Sequence, residues 1–281
     1  MDNIDAMPIF VQGMRHAEVT ALFINTISIS VAATMTLQRR IILAIAFSLF
    51  SCLGAYLIIS TIFSNLEKQL YDKCRIEAMT GARAMSEIMY FMINNNMLTR
   101  DAIFDTNYIE IPGSNPKKYH TRYDRVFDQW IQDIEDQFLL DRDVEFAVLI
   151  DKNGYIPTHN SKYSHPQTGN YAKDVIYSRS KRNFSESEGI KKVIAYNGDS
   201  AIKELYHRDT GELIWNIGAP VRLYGEQWGS FVIGVNLKRI DDIKYEMLVL
   251  IIITMSVILV TTNLIILMMI PRRYLTKEKI E

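Results

Sequence analysis

Two long apolar runs without a charged residue bracket the central part of this chain. They extend from Ile41 to Phe63 and from Met247 to Ile270. Each is longer than the roughly 20 residues that a helix needs to cross the hydrocarbon core of a bilayer. We therefore predict transmembrane helices over residues 39–63 and 245–270, with one folded domain over residues 64–244 between them.

Helical periodicity extends past the first apolar run. Hydrophobic residues there recur mostly at intervals of three and four, as on one face of a helix. They are Leu66, Leu70, Cys74, Ile76, Met79, Met85, Ile88, Met89 and Met92. The pattern predicts that the first helix continues out of the membrane to about Arg100. A second helix is predicted over residues 121–139, after a loop that contains Pro112 and Pro116.

The hydrophobic periodicity changes to two after this second helix, which is typical of strands. Strands are predicted over residues 144–150, 155–159, 201–207, 213–223 and 228–236, and residues 160–189 are predicted to be mostly loop. Gly154, Gly211 and Gly225 mark turns between neighbouring strands. Two helices followed by several antiparallel strands predict an α+β fold.

Positive residues close to the ends of the apolar runs indicate the orientation in the membrane. Arg39 and Arg40 precede the first run, and further basic residues follow the second within residues 271–281. Because such residues stay on the cytoplasmic side, we expect both chain ends inside, with residues 271–281 as a short cytoplasmic tail. The domain over residues 64–244 is then expected outside the inner membrane, in the periplasm of a bacterium.

Residues 1–38 precede the first predicted span as a leader. Three interpretations are open for residues 1–34: an unstructured segment, an upstream extension of the reading frame, or a short third membrane segment over Thr20 to Met35. A cleaved signal peptide is less consistent with the sequence. The apolar run over residues 41–63 is too long for its hydrophobic region and lacks a cleavage site of small residues.

Composition and motifs exclude several classes of function. The net charge of −1 offers no basic excess for nucleic-acid binding. We predict no enzymatic activity, because no nucleophile elbow, phosphate loop, zinc-helix motif or dinucleotide fingerprint is present in the sequence. No cofactor and no metal are predicted, because a haem-attachment motif is missing and the histidines are scattered. Cys74 is either a free thiol or, in an oxidising compartment, half of a disulfide between two copies.

Polar residues near the predicted strands are candidates for binding a small molecule. Tyr155, Thr158 and His159 lie where a strand leaves the sheet, and their side chains offer donors and acceptors to a polar ligand. Alternatively, His159 and the adjacent Asn160 satisfy backbone groups of the following loop. Trp215, on a neighbouring strand, either lines the same pocket or packs in the core.

A basic cluster in the loop region completes the predicted ligand-binding set. Arg179 and Lys181, together with Arg182, suit a carboxylate ligand, since a guanidinium can bind a carboxylate through two parallel hydrogen bonds. The alternatives are a solvated charged loop or ion pairs with the nearby Glu186 and Glu188.

Several sequence blocks occur in an order and spacing that resemble the periplasmic sensor of bacterial methyl-accepting chemotaxis proteins. The blocks are PKKYHTRYD (116–124), FAVLIDKNGYIPTHN (146–160), RSKRNF (179–184), YHRDTGELIW (206–215), AP (219–220) and WGSFVIG (228–234). The resemblance implies a Cache or PAS-like fold, a homodimer, and sensing of a small extracellular solute coupled to a cytoplasmic signalling module.

The chain departs from that family at its C-terminal end. Such receptors continue into a HAMP linker and a methylated coiled coil, whereas residues 271–277 resemble only the start of a HAMP helix and the sequence stops at Glu281. Three interpretations are open: a truncated receptor, a fragment of a longer receptor, or a sensor that signals through a partner in the membrane or the cytoplasm. The alternative hypothesis is a truncated receptor that modulates full-length receptors by forming heterodimers, without an output of its own.

Overall fold

The computed structural model describes residues 37–268. The predicted leader up to Thr36 and the predicted tail over residues 271–281 lie outside the described residues. Within the described chain, Ile62–Glu246 form one compact unit. The apolar segments up to Thr61 and from Met247 onward belong to the other unit.

Seven helices and eight strands make up the described chain. The helices are α1 (Leu37–Asn94), α2 (Arg100–Ile103), α3 (Asp124–Trp130), α4 (Gln132–Gln137), α5 (Tyr171–Tyr177), α6 (Glu188–Ala195) and α7 (Leu237–Met268). The strands are β1 (Ile109–Glu110), β2 (Tyr119–His120), β3 (Phe146–Asp151), β4 (Tyr155–Ile156), β5 (Arg182–Asn183), β6 (Ile202–His207), β7 (Leu213–Leu223) and β8 (Glu226–Asn236). Short 3₁₀ turns cover Phe138–Leu140 and Ser161–Tyr163.

Helices α1 and α7 each contain a stretch long and apolar enough to cross a membrane. In α1 this stretch continues without interruption into the polar part of the helix, as the sequence predicts. The helix ends at Asn94 rather than near Arg100, because Asn96 takes the left-handed conformation with φ 56°. The N–H of Met97 then donates to the carbonyl of Met92 at 2.9 Å, a closure that commonly terminates helices.

The main sheet has four antiparallel strands in the order β3-β8-β7-β6. The predicted strand over 213–223 is confirmed, and β6 and β8 lie within two residues of their predicted starts. The predicted return of residues 155–159 alongside β3 is wrong. Strand β4 instead pairs with β5 in a separate two-stranded sheet, with Ile156 opposite Arg182.

One face of the sheet, the α1 face, packs against the polar part of α1. The buried residues on α1 are Leu70, Cys74, Ala78, Ala82, Met85, Met89 and Met92. Ile76, which the periodicity placed in this stripe, is 57% exposed and faces away. Gly81 allows the close approach of helix and sheet, since a Cβ there would lie 2.1 Å from the ring of Phe231. Cys74 is fully buried in this core and has no disulfide partner within residues 37–268, and the disulfide between two copies stays a prediction.

The opposite face of the sheet, the α6 face, has a smaller core. Helix α6 and the segments around β4 and β5 cover it, and the buried residues are Phe146, Val148, Ile150, Ile156, Tyr163, Phe184, Ile190, Val193, Tyr206, Ile214 and Val232. Helix α6 has no counterpart in the sequence prediction, which left residues 190–200 unassigned. The predicted helix over 121–139 is divided into α3, α4 and a 3₁₀ turn. The sheet therefore has helices on both faces.

Side chains, not a neighbouring strand, cover the outer edge of β3. The N–H of Ala147 donates to Asn160 Oδ1 at 2.7 Å, and the N–H of Leu149 donates to Glu135 Oε1 at 2.9 Å. Both acceptor residues are fully buried. An uncovered strand edge would leave buried donors unsatisfied and offer a template for aggregation. Glu135 and Asn160 thus supply the acceptors that a neighbouring strand would otherwise supply.

A charged cluster attaches α1 to the segment that leads into β3. The Lys73 ammonium lies 2.7 Å from Asp141 and 2.6 Å from Asp143. Glu77, one turn further along α1, is half-buried beside them. Burial, and then its hydrogen bond with Asp141, raise the pKa of Glu77 to about 7. Its Oε2 atom is buried and has no hydrogen-bond partner among the described residues.

Glu77 makes the stability of the domain depend on pH. Its pKa is about 7 when folded against an ordinary value of 4.5, so between these values the folded state binds more protons than the unfolded state. Stability therefore falls as the pH rises through this window. We expect Glu77→Gln to stabilise the domain by about 1–2 kcal/mol at pH 8, after a discount for partial exposure, and to change little at pH 4.

Intrinsic tryptophan fluorescence can measure this effect, because Trp130, Trp215 and Trp228 all lie within the unit Ile62–Glu246. Urea unfolding at several pH values would give the free energy of each variant. Glu87→Gln, at an exposed position of α1, is the matched control and should behave like the wild type. An equal gain from Glu77→Gln at pH 4 and pH 8 would contradict the assignment.

The cap on the β3 edge predicts a contrast between two substitutions of Glu135. Burial raises the pKa of Glu135 well above its usual range, although the N–H of Leu149 opposes this shift, so burial favours the protonated carboxyl. Glu135→Gln keeps an acceptor for Leu149 and should leave the unfolding free energy nearly unchanged. Glu135→Leu removes the acceptor and should cost about 1–3 kcal/mol, as measured by urea unfolding. Equal stabilities of the two variants would refute the capping role.

Candidate functional site

A group of buried cationic and aromatic side chains lies on the α6 face of the sheet. We call it the arginine cluster, and it consists of His159, Tyr163, Arg179, Arg182 and Arg208. His159 and Tyr163 lie in the segment between β4 and α5, and Arg179 follows α5. Arg182 belongs to β5, and Arg208 follows the last residue of β6. The cluster therefore forms where three segments of the chain meet, with Arg179 and Arg182 on the same one.

Asp209 holds two of the arginines. Its Oδ1 lies 2.6 Å from Nη1 of Arg179, and its Oδ2 lies 2.8 Å from Nη2 of Arg182. Arg179 is 3% exposed, and its guanidinium also donates to the carbonyl of Val175 at 2.9 Å. Both guanidinium groups lie within 5 Å of the Phe184 ring centre, at 4.8 and 4.7 Å. The sequence analysis proposed Arg179 as a binder of a ligand carboxylate, but its guanidinium is already paired with the carboxylate of Asp209.

Arg208 occupies the centre of the cluster. Its Nη1 donates to Glu212 Oε2 at 2.8 Å, and its guanidinium carbon lies 4.5 Å from the ring centre of Tyr163. The Tyr163 hydroxyl in turn contacts the Glu145 carboxylate, which also pairs with Lys162 at 2.6 Å. Arg208 is 4% exposed, so most of its charge is removed from water.

His159 contributes a neutral imidazole to the cluster. Its ring packs 5.7 Å from the ring of Phe146 and 5.0 Å from the ring of Tyr163. Burial, and then the charges of Arg179 and Arg208, lower the pKa of His159 well below its usual value. The imidazole is therefore uncharged at physiological pH, with one nitrogen that donates and one that accepts a hydrogen bond.

Several polar atoms of this region are buried without a hydrogen-bond partner among residues 37–268. They are Nε and Nη2 of Arg208, Nδ1 of His159, and both side-chain polar atoms of Asn216 on β7. Buried polar groups in proteins are nearly always paired, since an unpaired one costs about 1–3 kcal/mol and a charged one more. Unpaired atoms on three neighbouring segments of the α6 face therefore indicate a place for additional polar partners.

Only two of the six predicted ligand-binding residues, His159 and Arg179, belong to the arginine cluster. Tyr155 is buried on the α1 face, where its hydroxyl donates to Asp124 Oδ2 at 2.7 Å. Thr158 is 2% exposed and lies beside the Glu135 carboxyl at the edge of β3. The sheet thus separates Tyr155 from the cluster.

Lys181 and Trp215 also lie apart from the cluster. The Lys181 ammonium pairs with Asp128 of α3 at 2.6 Å, and its backbone has φ 63°. Trp215 is half-buried against the core of the α1 face, with the Lys203 ammonium 4.2 Å from its ring centre. Asp128 and Asp209, rather than the expected Glu186 and Glu188, neutralise the basic loop.

Two buried cations escaped the sequence interpretation. Arg208 continues the inward-facing alternation of Ile202, Glu204 and Tyr206 along β6, so a strict period of two would have placed it on the buried face. Lys118 is 9% exposed, and burial followed by the charges of Lys181 and Arg182 lowers its pKa to about 8. The local sequence does not indicate that Lys118 is buried, since the adjacent residue Lys117 is also a lysine and is exposed.

The role of Asp209 predicts a measurable loss of stability. Asp209→Asn leaves the buried guanidinium of Arg179 without its carboxylate. We expect a loss of about 1–3 kcal/mol in urea unfolding, below the usual cost of breaking a buried pair because Asp209 is 33% exposed. The matched control is Asp199→Asn, which removes a fully exposed carboxylate 3.9 Å from Arg222 and should cost almost nothing. Equal losses would show that Asp209 does not hold the cluster.

Comparisons with known proteins add no information about this site. A scan against protein-family models found no match to this chain, and neither did a search of curated proteins.

Proposed function

We propose that this chain is a membrane-anchored sensor of a small extracellular solute, and that the arginine cluster binds the solute. The observation that carries the proposal is the set of buried polar atoms at Arg208 and His159 that have no partner in the described part of the chain. A fold that encloses a guanidinium and leaves three of its five N–H donors unpaired is less stable than one that pairs them. A bound ligand would supply the pairing and stabilise the occupied state.

The architecture supports this proposal. A mixed helix and sheet domain lies between two helices that are long and apolar enough to span a membrane. The antiparallel sheet with a long helix on one face is compatible with a Cache or PAS-like sensor, as the sequence blocks suggest. On this proposal the domain is periplasmic, the chain crosses the inner membrane twice, and a homodimer passes the signal to a receptor or cytoplasmic partner.

The contacts around β3 provide a physical route for the signal within the domain. His159 packs on Phe146, and the next residue, Asn160, accepts a hydrogen bond from Ala147. Phe146 and Ala147 point to opposite faces of the sheet, and Ala147 belongs to the core that α1 completes. A ligand that binds one arrangement of these contacts more tightly would shift the population toward it, and α1 would respond.

A ligand screen on the whole chain in lipid nanodiscs tests the proposal. Thermal unfolding of the domain would be followed by tryptophan fluorescence with a panel of amino acids, organic acids, amines and sugars. A ligand at about 100 times its dissociation constant adds roughly 2.7 kcal/mol, which corresponds to a rise of several degrees in the melting temperature. The rise should depend on dose and saturate.

Two variants are compared with the wild type in this screen, one in the cluster and one at the surface as its control. His159→Phe fills the same space without the imidazole nitrogens and should weaken the response to the active compound. Lys192→Gln, at an exposed ion pair with Glu204, should leave it unchanged. If no compound of any class raises the melting temperature of the folded wild type, the solute-sensor proposal fails.

A further inference from the structure

We infer that the ligand is a small carboxylate and that its two oxygens bind Nε and Nη2 of Arg208. This inference rests on the proposed function and names the chemical class of its ligand. It also moves the carboxylate site from Arg179 and Lys181, where the sequence placed it, to an arginine that the sequence did not single out.

The geometry of the Arg208 hydrogen bonds carries the inference. A guanidinium has two edges that match a carboxylate, and one of them consists of the Nε–H and an Nη2–H pointing in the same direction. In Arg208 the donors on Nη1 are occupied by Glu212 at 2.8 Å and lie 3.4 Å from the Tyr163 hydroxyl. Within residues 37–268, Nε and Nη2 are the two Arg208 nitrogens left without partners. The free donors are therefore those of one complete edge, not a random pair.

The other cations of the cluster lack this property. Arg179 gives Nη1 to Asp209 and Val175, and Nη2 lies 3.2 Å from the Tyr206 hydroxyl. Arg182 gives Nη2 to Asp209 at 2.8 Å and Nη1 to the carbonyl of Val175 at 3.2 Å. Lys181 is paired with Asp128. A planar anion thus finds its free two-point contact at Arg208.

The charge balance of the cluster favours an anion over a neutral ligand. The cluster and the side chains around it contain four cations, Lys162, Arg179, Arg182 and Arg208, and three carboxylates, Glu145, Asp209 and Glu212. One positive charge remains in excess. His159 cannot carry a further charge, since its pKa is lowered, and its unpaired Nδ1 is available to a polar group on the ligand.

The surroundings of Arg208 limit the size of the ligand. Tyr163 and Phe146 are 2% and 5% exposed, and the Arg208 guanidinium lies 4.5 and 5.9 Å from their ring centres. Because Arg208 is 4% exposed, a ligand at its free edge has to be enclosed by the protein, and we expect carboxylates of two to four carbons to bind better than longer ones.

The test compares carboxylates with their uncharged amides on the full chain in nanodiscs. Acetate, propionate, lactate and pyruvate are titrated against acetamide, propionamide and lactamide, with melting temperature and isothermal calorimetry as readouts. At least one acid should bind, and its amide should bind about 10- to 100-fold more weakly, because the amide lacks the negative charge and one acceptor oxygen.

Substitutions then locate the site. Arg208→Lys keeps the charge but loses the two-point edge, and it should raise the dissociation constant of the acid about 10- to 100-fold. Arg100→Gln is the matched control, since Arg100 also pairs with a glutamate, at 3.1 Å, and stacks on a tyrosine, at 4.6 Å, but is exposed. It should bind the acid like the wild type. The ¹⁵N-labelled Nε–H signal of Arg208 in the wild type should shift on addition of the acid, a readout that needs no variant.

The outcomes separate this inference from the proposed function. Binding of the acid that Arg208→Lys leaves unchanged, or that leaves the Nε–H signal in place, would overturn the assignment to Arg208. Equal binding of acid and amide would overturn the carboxylate class. If amines or sugars bind in the wider screen and no acid does, the carboxylate inference fails while the sensor proposal stands. If nothing binds at all, both fail.

Discussion

The outer edge of β3 is the constraint on which the arrangement of this domain depends. Two backbone N–H groups, of Ala147 and Leu149, point away from the sheet into a buried region and must find acceptors. Asn160 and Glu135 supply them, and this fixes both the helical layer that contains Glu135 and the segment that follows β4. Once Asn160 is anchored, its neighbour His159 is held against Phe146 on the α6 face. The site is thus positioned by a requirement of the backbone.

Neutral and charged buried groups have different roles in this arrangement. Glu135 and His159 are both fully buried, and burial favours the uncharged form of each, because it raises the pKa of Glu135 and lowers the pKa of His159. Their polar atoms then act as ordinary hydrogen-bond donors and acceptors. Asp209 behaves differently, since burial raises its pKa but the adjacent guanidinium groups of Arg179 and Arg182 lower it more. The carboxylate therefore stays ionised where two arginines require it.

Much of the fold follows from local sequence patterns, but the site does not. The continuous α1, the strand over 213–223 and the turn at Gly211 were all predictable, because periodicity and turn residues depend on neighbours in the sequence. The pairing of β4 with β5 was not predictable in this way, since it depends on which distant segment satisfies the edge of β3. The short helix α6 was missed because its eight residues, although Ile190, Val193 and Ile194 follow helical spacing, are too few to stand out from the loop-rich segment before them.

The candidate residues show the same division. The sequence identified Arg179 as a cation suited to a carboxylate, and the structure provides that carboxylate from the chain itself, as Asp209. The choice between Asp209 and the nearer Glu186 and Glu188 depends on the return of the chain through β6, which no spacing rule reports. Tyr155 and Thr158 are three residues apart but lie on the α1 face and at the sheet edge, respectively. Because β4 ends at Ile156, the side chains after it no longer alternate between the two faces of a sheet.

A buried arginine differs from a buried histidine or lysine because it cannot lose its charge, and an unpaired buried arginine therefore points to a missing partner. A buried histidine or lysine can relieve unfavourable burial by releasing a proton, as the lowered pKa values of His159 and Lys118 illustrate. An arginine has no such route in a protein, because its guanidinium remains protonated under all physiological conditions. The charge of Arg208 must therefore be balanced by a partner, and Glu212 balances it on one side only. The remaining edge can be satisfied only from outside the described chain, by water or by an anion, and an anion alone removes the excess charge.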